Sequence, residues 1–203
     1  MGCSGSAARP AEPCFDKADK GRRAIVRAGG VECTGGAGSH NPEWWACACG
    51  NIIERDSGEH RFAFERQKGA NLGADARMYA CVGLLSSSAS RDRLPNSCLA
   101  LDSSGYFYID NKIQHDKSVR NFDGYIEGFG VGAVVSLVVQ TDGPMPVAAW
   151  LVDGAEVTRS EVAAGYGCRI AVGGFRDTDA WRIVDWAERW AALKGVQVKV
   201  EKS

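Results

Sequence analysis

The chain of 203 residues has few of the side chains on which most catalytic and metal sites depend. It contains three histidines, and its formal net charge at pH 7 is −1. No stretch matches a P-loop, a dinucleotide-binding glycine fingerprint or a G-x-S-x-G nucleophile turn. A near-neutral chain has no electrostatic bias toward nucleic acid, so we expect no nucleic-acid partner. We therefore predict a protein that is not an enzyme and needs no cofactor.

Long apolar runs are also missing. No run reaches the roughly 18 residues of a membrane-spanning helix, and we find no apolar core of a secretory signal. Eight cysteines are present, but Cys47 and Cys49 are one residue closer together than the usual zinc pair. Cys81 and Cys98 lie in apolar runs, where a free thiol acts as a small hydrophobe. We expect no metal site and a reducing compartment.

Glycine and short apolar runs are what the sequence does contain. Its 25 glycines exceed the average usage of about 7% and fall between the runs, where they mark turns. We expect a loop over 29–42 and strands at or near 24–27, 43–53, 60–66, 77–85, 97–101, 105–110, 133–140, 147–152, 168–173 and 181–186. Short strands at this regular spacing predict a mainly β fold, a two-sheet antiparallel sandwich.

The most distinctive stretch, residues 123–157, predicts a β-hairpin entered through a glycine-rich turn. The run 131–139 has the length and β-branched content of a strand buried on both faces. Residues 141–144 (TDGP) have turn chemistry, a second strand follows at 147–152, and Asp153-Gly154 makes the next turn. Neither strand carries a catalytic device.

The order of these segments resembles the SPRY domain family, β-sandwiches that serve as protein-binding modules. The similar segments are 57–64 (SGEHRFAF), 77–84 (RMYACVGL), 130–137 (GVGAVVSL), 149–154 (AWLVDG), 169–174 (RIAVGG) and 181–186 (WRIVDW). The resemblance covers residues 50–187 and implies a noncatalytic binding domain. Another two-sheet sandwich of similar layout is the structural alternative.

A SPRY-like sandwich normally recognises its partners through loops at one edge. The resemblance therefore makes two loops candidates for partner binding, the first containing Arg91, Asp92 and Arg93, the second containing His115, Lys117 and Arg120. The alternative for both loops is that they are solvated turns.

The N-terminus MGCSGS carries a second signal. Gly2 would be exposed when Met1 is removed, Ser6 occupies the favoured hydroxyl position, and Cys3 is placed for a palmitoyl group. One myristoyl chain binds a bilayer with only about 10⁴ M⁻¹, so Cys3 would supply the second anchor. The six residues resemble the N-termini of dually acylated flagellar membrane proteins of protists. We expect lipidation at Gly2 and Cys3.

The C-terminus differs from the rest of the chain. Trp186, Trp190 and Leu193 recur at i, i+4 and i+7, which predicts a short amphipathic helix over 185–194 followed by an edge strand at 196–200. This helix either caps the sandwich or docks a partner through Trp190. The predicted organisation is a flexible, acylated tail (1–23), a SPRY-like sandwich (24–187) and a C-terminal helix and edge strand (188–203).

Together these patterns predict a protein-interaction module that is held by its acylated N-terminus on the cytoplasmic face of a membrane, for example a flagellar one. Its partner would be a protein or peptide. The alternatives are a structural subunit of a large ciliary or organellar assembly, or a cytosolic protein without lipid. The sequence leaves the oligomeric state open.

Overall fold

The computed structural model describes residues 13–36, 44–54, 56–68, 80–86, 91–92, 98–105, 107–108, 128–162, 168–175 and 179–185. These residues form two β-sheets in which every strand pairing is antiparallel. The predicted two-sheet sandwich is therefore confirmed. None of the described residues belongs to a helix that is long and apolar enough to cross a bilayer.

The first sheet has six strands in the order β1-β4-β12-β6-β7-β8. They span Phe15–Lys20 (β1), Trp44–Ile53 (β4), Ala80–Ser86 (β6), Cys98–Asp102 (β7), Phe107–Tyr108 (β8) and Cys168–Phe175 (β12).

The second sheet has seven strands in the order β11-β10-β9-β5-β13-β3-β2. They span Ala24–Arg27 (β2), Glu32–Gly35 (β3), Glu59–Lys68 (β5), Val134–Gln140 (β9), Val147–Val152 (β10), Ala155–Glu161 (β11) and Ala180–Ile183 (β13). A single 3₁₀ turn, Ala28–Gly30, joins β2 to β3.

Two buried tryptophans tie the sheets together. Trp150 of β10 donates its indole N–H to the carbonyl of Val82 on β6 at 2.9 Å. Trp181 of β13 donates in the same way to the carbonyl of Gly173 on β12 at 3.0 Å. Both rings are fully buried. Each therefore fills the space between the sheets and satisfies its one polar atom there, as a buried indole must.

Every strand that we predicted between residues 60 and 186 has a counterpart, but three other strands correct the sequence analysis. Phe15–Lys20 is strand β1, inside the segment expected to be a flexible tail, because Phe15 enters the core and stacks on Phe64 at 5.9 Å. Glu32–Gly35 is a strand rather than a loop, because Cys33 points into the core. Ala155–Glu161 is an edge strand that we did not predict.

The hairpin of β9 and β10 follows the prediction with one shift. Gly132 has a φ of 87°, and Val131 is 51% exposed in the same turn, so β9 begins at Val134 rather than Val131. At the far end Asp153 and Gly154 both have positive φ, 47° and 86°. Two positive φ values are the pattern of a type I′ turn, which joins β10 directly to β11.

The cysteines described by the structure are free thiols, and most of them are buried. Burial raises the pKa of Cys168 to about 11. The pKa of Cys33 is also raised, first by a hydrogen bond with Cys47 and then by burial. Protonated, buried thiols react poorly, so these side chains act as small core residues.

A buried ion pair fixes the entry to β13. Arg66 of β5 lies 3.1 Å from the carboxylate of Asp179, and their side chains are 6% and 0% exposed. Arg66 also donates to the carbonyl of Phe129 at 3.0 Å, and its backbone pairs with the glycine-rich turn at Gly132 and Ala133. One side chain thus connects β5, the turn before β9 and the residue before β13.

The other side of Asp179 is equally close-packed. Its carbonyl accepts a hydrogen bond from Thr34 Oγ1 at 3.0 Å. A Cβ on Gly174 would lie 2.7 Å from the Cβ of Asp179 and 2.7 Å from the ring of Trp45. Only glycine fits there, which lets Asp179 sit between β3, β12 and the Arg66 guanidinium.

Replacing Asp179 tests the importance of this ion pair. We expect Asp179→Ala to lower the free energy of unfolding by about 3–5 kcal/mol, because it leaves the Arg66 charge buried and uncompensated. Chemical denaturation measures the change. Glu59→Ala, which removes the exposed partner of Arg61, should cost no more than about 1 kcal/mol. Equal losses in the two variants would contradict the assignment.

Candidate functional site

A recess opens at one end of the sandwich, where β4, β5 and β12 meet. It has a volume of about 600 Å³ and is lined by Ile52, Glu54, Ser57, His60 and Arg169. Ile52 is 49% exposed, one of four large apolar side chains in the described residues that reach the solvent to this degree. We call this feature the Arg169 recess. It offers one apolar contact beside several polar groups.

The wall of the Arg169 recess is a rigid turn. Thr141, just after β9, accepts from the backbone N–H of Ser57 at 2.9 Å and donates to the carbonyl of Gly58 at 2.9 Å. Asp142 accepts from the backbone N–H of Gly58 at 3.1 Å. Gly58 has a φ of 87°, which a glycine adopts without strain. Ser57 and His60 are therefore presented in one fixed arrangement.

Ser57 and His60 do not form a nucleophile and its base. Ser57 Oγ lies 2.7 Å from His60 Nε2, but it also lies 2.5 Å from the carbonyl oxygen of Glu54. A carbonyl only accepts, so the hydroxyl proton of Ser57 points to Glu54 and His60 Nε2 must donate to Ser57. A serine nucleophile needs the opposite polarity. The contact therefore shapes the recess and does not activate the serine.

Charged side chains continue from the recess toward β1. Arg169 binds Asp16 at 2.9 Å and Asp19 at 2.6 Å, and Arg91 forms a two-pronged ion pair with Asp19. We call Asp16, Asp19, Arg91 and Arg169 the β1 charge cluster. Its two carboxylates balance its two guanidinium groups, so it adds no net charge to the recess.

The cluster shifts the pKa values of its members. The backbone N–H of Ala18 is the main reason why the pKa of Asp16 is lowered, and Arg169 adds to it. Burial alone would raise the pKa of Asp19, but hydrogen bonds and charge from Arg91 and Arg169 outweigh it and lower that pKa. Burial would likewise lower the pKa of Arg169, and its two carboxylate partners raise it instead.

Two of the predicted partner-binding residues take part in this network. Arg91 pairs with Asp19 and donates to the carbonyl of Ser86 at 2.9 Å. The carboxylate of Asp92 accepts from the backbone N–H of Arg22 at 2.9 Å and from the Arg22 guanidinium at 3.2 Å. Arg91 and Asp92 therefore contact β1 and the turn that follows it. The other predicted residues lie outside the described part of the chain, namely Gly2, Cys3, Arg93, His115, Lys117, Arg120 and Trp190.

The sequence analysis missed Asp16, Asp19 and Arg169 as members of one site. The two aspartates stand in a segment expected to be a tail, and Arg169 stands in a strand with no visible partner in sequence. The only apolar signal in this segment is Phe15, followed by the mainly polar residues 16–20. One large apolar residue is too little to predict a strand. In the described residues no three His, Cys, Asp or Glu side chains are grouped to hold a metal ion.

Comparison with solved structures shows the fold. The chain is similar to the SPRY domain of human HERC1, with a TM-score of 0.63 and 15% identity over 85% of this chain and 98% of that one. It is similar to the TRIM65 PSpry domain, with a TM-score of 0.56 and 11% identity over 85% and 89% of the two chains. No family model matches the sequence, and no curated protein matches it. The chain thus has the SPRY fold.

Replacing Asp19 tests the β1 charge cluster. Its lowered pKa means that the cluster contributes stability above the unfolded value of 3.8, and that this contribution is lost as the pH falls through the folded value. At pH 7 we expect Asp19→Asn to destabilise the fold by about 2 kcal/mol, the magnitude of hydrogen bonds to a charged group. The gap from the unmodified chain should shrink below pH 3.8.

Glu156→Gln is the matched control, because Glu156 pairs with Arg159 on the exposed edge of β11. It should change the stability by less than about 0.5 kcal/mol. Denaturation curves at neutral and acidic pH measure both variants. A loss for Asp19→Asn that does not depend on pH would contradict the role assigned to its carboxylate.

Proposed function

We propose that this chain is a noncatalytic protein-interaction module that binds a peptide segment of its partner in the Arg169 recess. The observation that supports this most directly is the exposure of Ile52 beside rigidly held polar groups. A rigid turn keeps the loss of conformational entropy on binding small. The SPRY fold that the chain shares with these two domains supports an interaction module in general. The low sequence identity leaves the binding surface to be argued from this chain's own residues.

The chemistry of the recess favours one class of anchor. Ile52 offers an apolar surface, the exposed Glu54 offers a carboxylate, and Arg169 is already neutralised by Asp16 and Asp19. A lysine or arginine side chain matches this pair, since its stem packs on an apolar surface while its charged end reaches a carboxylate. We propose a partner segment that inserts a basic side chain here.

We further propose that the module is held on the cytoplasmic face of a membrane by acyl groups on Gly2 and Cys3. Strand β1 begins at Phe15. Gly2 and Phe15 are thirteen positions apart in sequence, so the linker can span at most about 45 Å. Lys17 on β1 and Arg27 on β2 are exposed and near enough in sequence to add an attraction to anionic lipid. The lipid would set the location and the recess would select the partner.

Ile52→Lys tests the binding surface. Because it places a positive charge where a basic anchor would pack, it should lower recovery of the partner from native membranes by about tenfold or more. Val131→Lys is the matched control, since Val131 is 51% exposed and lies outside the recess lining. Quantitative mass spectrometry after affinity purification of the full chain measures both.

A partner that is lost equally from both variants would rule out the recess. Recovery of the chain in a detergent-resistant assembly, unchanged by Ile52→Lys, would favour the alternative role as a structural subunit of a ciliary or organellar complex.

Gly2→Ala tests the membrane tether. It abolishes myristoylation, and we expect the chain to move from the membrane fraction to the soluble fraction. Cys3→Ser should move it partly, because a single acyl chain binds weakly. Cell fractionation and the intact mass of the native protein measure this. A retained Met1 or a free Gly2 amine would contradict the proposal.

A further inference from the structure

One side of the sandwich is formed by the first two strands of the chain. Strand β1 is the last strand of the six-stranded sheet, and β2 is the last strand of the seven-stranded sheet. The two strands contact each other, so both sheets end on the same side of the sandwich. We call residues 15–31, which comprise β1, β2, the 3₁₀ turn and Val31, the N-terminal edge.

The N-terminal edge is basic, although the formal net charge of the whole chain is −1. It has five basic and two acidic residues, namely Lys17, Lys20, Arg22, Arg23, Arg27, Asp16 and Asp19. Both aspartates belong to the β1 charge cluster, where Arg91 and Arg169 from other parts of the chain neutralise them. The two carboxylates therefore do not offset the basic residues of the edge, which carries an excess of positive charge.

Two of these basic side chains reach the solvent without a counter-charge. Arg22 pairs with Asp92. Lys17 and Arg27 are exposed, and neither has an ion-pair partner among the residues that the structure describes. Their charge is therefore available to an anionic surface that approaches the edge.

Large apolar side chains are exposed beside these charges. Of the four large apolar side chains that are exposed in the described residues, Ile25 and Val31 lie in the N-terminal edge, at 38% and 41% exposure. Ala24 is buried and Val26 packs against the core. Alternation therefore turns Ile25 and Arg27 onto the outer face of the seven-stranded sheet, the face away from the six-stranded sheet. An exposed arginine thus stands between two exposed apolar residues in sequence.

The chain enters the sandwich beside this surface. Phe15 begins β1 in the core, and Cys14 before it is exposed. A Cβ on Gly30 would lie 3.1 Å from the Cβ of Cys14, so the start of β1 lies against the turn that leads to Val31. A lipid anchor attached through the residues that precede Cys14 therefore leads to this edge of the sandwich.

Basic and apolar side chains exposed together match the surface of an anionic bilayer. The basic groups are attracted to acidic headgroups, and the apolar groups are buried at the boundary with the acyl chains. Basic residues on edge strands also keep sheets from pairing edge to edge, but that role does not call for an exposed isoleucine and valine beside them. An acidic peptide would match the charges as well. The entry of the chain beside Val31 favours the bilayer, because it brings a membrane anchor to the same edge.

We propose that the N-terminal edge docks on the surface of an anionic bilayer, with Lys17 and Arg27 among the headgroups and Ile25 and Val31 entering the headgroup layer. This contact extends the membrane location proposed above. It needs no acyl group, so either proposal can fail without the other. It also orients the module, because β1 and β2 face the bilayer and β11, at the opposite edge of the seven-stranded sheet, faces away from it.

Vesicle binding by the unacylated full chain tests this contact. The chain made in a bacterial host, which adds no myristoyl group, should co-sediment with vesicles of phosphatidylcholine and phosphatidylserine but not with phosphatidylcholine alone. Raising the salt concentration should weaken the binding, because salt screens the surface charge. Absence of binding to the phosphatidylserine vesicles, or equal binding to both kinds, would overturn the proposal and leave the acyl tether untouched.

Single substitutions locate the contact. Arg27→Gln should lower the partition onto phosphatidylserine vesicles about fivefold, and Val31→Gln should lower it about threefold or more. Arg159→Gln is the control for charge, because Arg159 is exposed on β11 at the opposite edge of the sheet. Val131→Gln is the control for apolar area, because Val131 is 51% exposed in the turn before β9. Neither control should change the partition.

Two results of these substitutions would contradict the assigned edge. Equal losses in the test and control variants would mean that binding has no fixed site on the chain. A chain that ignores the vesicles, but loses a protein from native extracts on Arg27→Gln, would assign the edge to an acidic protein segment instead. Either result would overturn the proposal.

Discussion

The buried ion pair between Arg66 and Asp179 is the constraint on which the rest of the sandwich depends. It joins β5 to the residue that opens β13, and the same arginine holds the glycine-rich turn before β9. Trp181 follows two residues later and reaches across to the carbonyl of Gly173. Removing one partner of a buried ion pair leaves the other charge uncompensated, so this pair holds β5, the turn before β9 and the start of β13 together.

At the candidate site, too, one arginine connects separate parts of the structure. Arg169 belongs to both the recess and the β1 charge cluster, so the first strand of the sandwich decides whether the recess contains an unbalanced positive charge. With Asp16 and Asp19 in place it does not, and Ile52 and Glu54 are the exposed apolar and acidic groups of the recess. The turn held by Thr141 keeps the recess in one shape. The shape and the charge of the recess thus depend on residues that do not line it.

β9 could be predicted from its continuous apolar, β-branched run, and β5 and β10 from short apolar runs between turn residues. The order of these segments also led to the SPRY fold. The strand Glu32–Gly35 could not be predicted, because its buried residues are Cys33 and Gly35. Neither is a large apolar side chain of the kind that marks a strand in sequence. The β1 charge cluster could not be predicted, since its pairs are separated by 72 to 153 positions in sequence. Only the folded chain brings such charges together.

The most direct test of this account is amide hydrogen exchange on the full chain with and without its bound partner. The account predicts that exchange slows around the Arg169 recess, in residues 52–60 and at the start of β12, and that the outer face of the seven-stranded sheet is unchanged. Slowing on that outer face or along the edge strand β11, with no change at the recess, would contradict it.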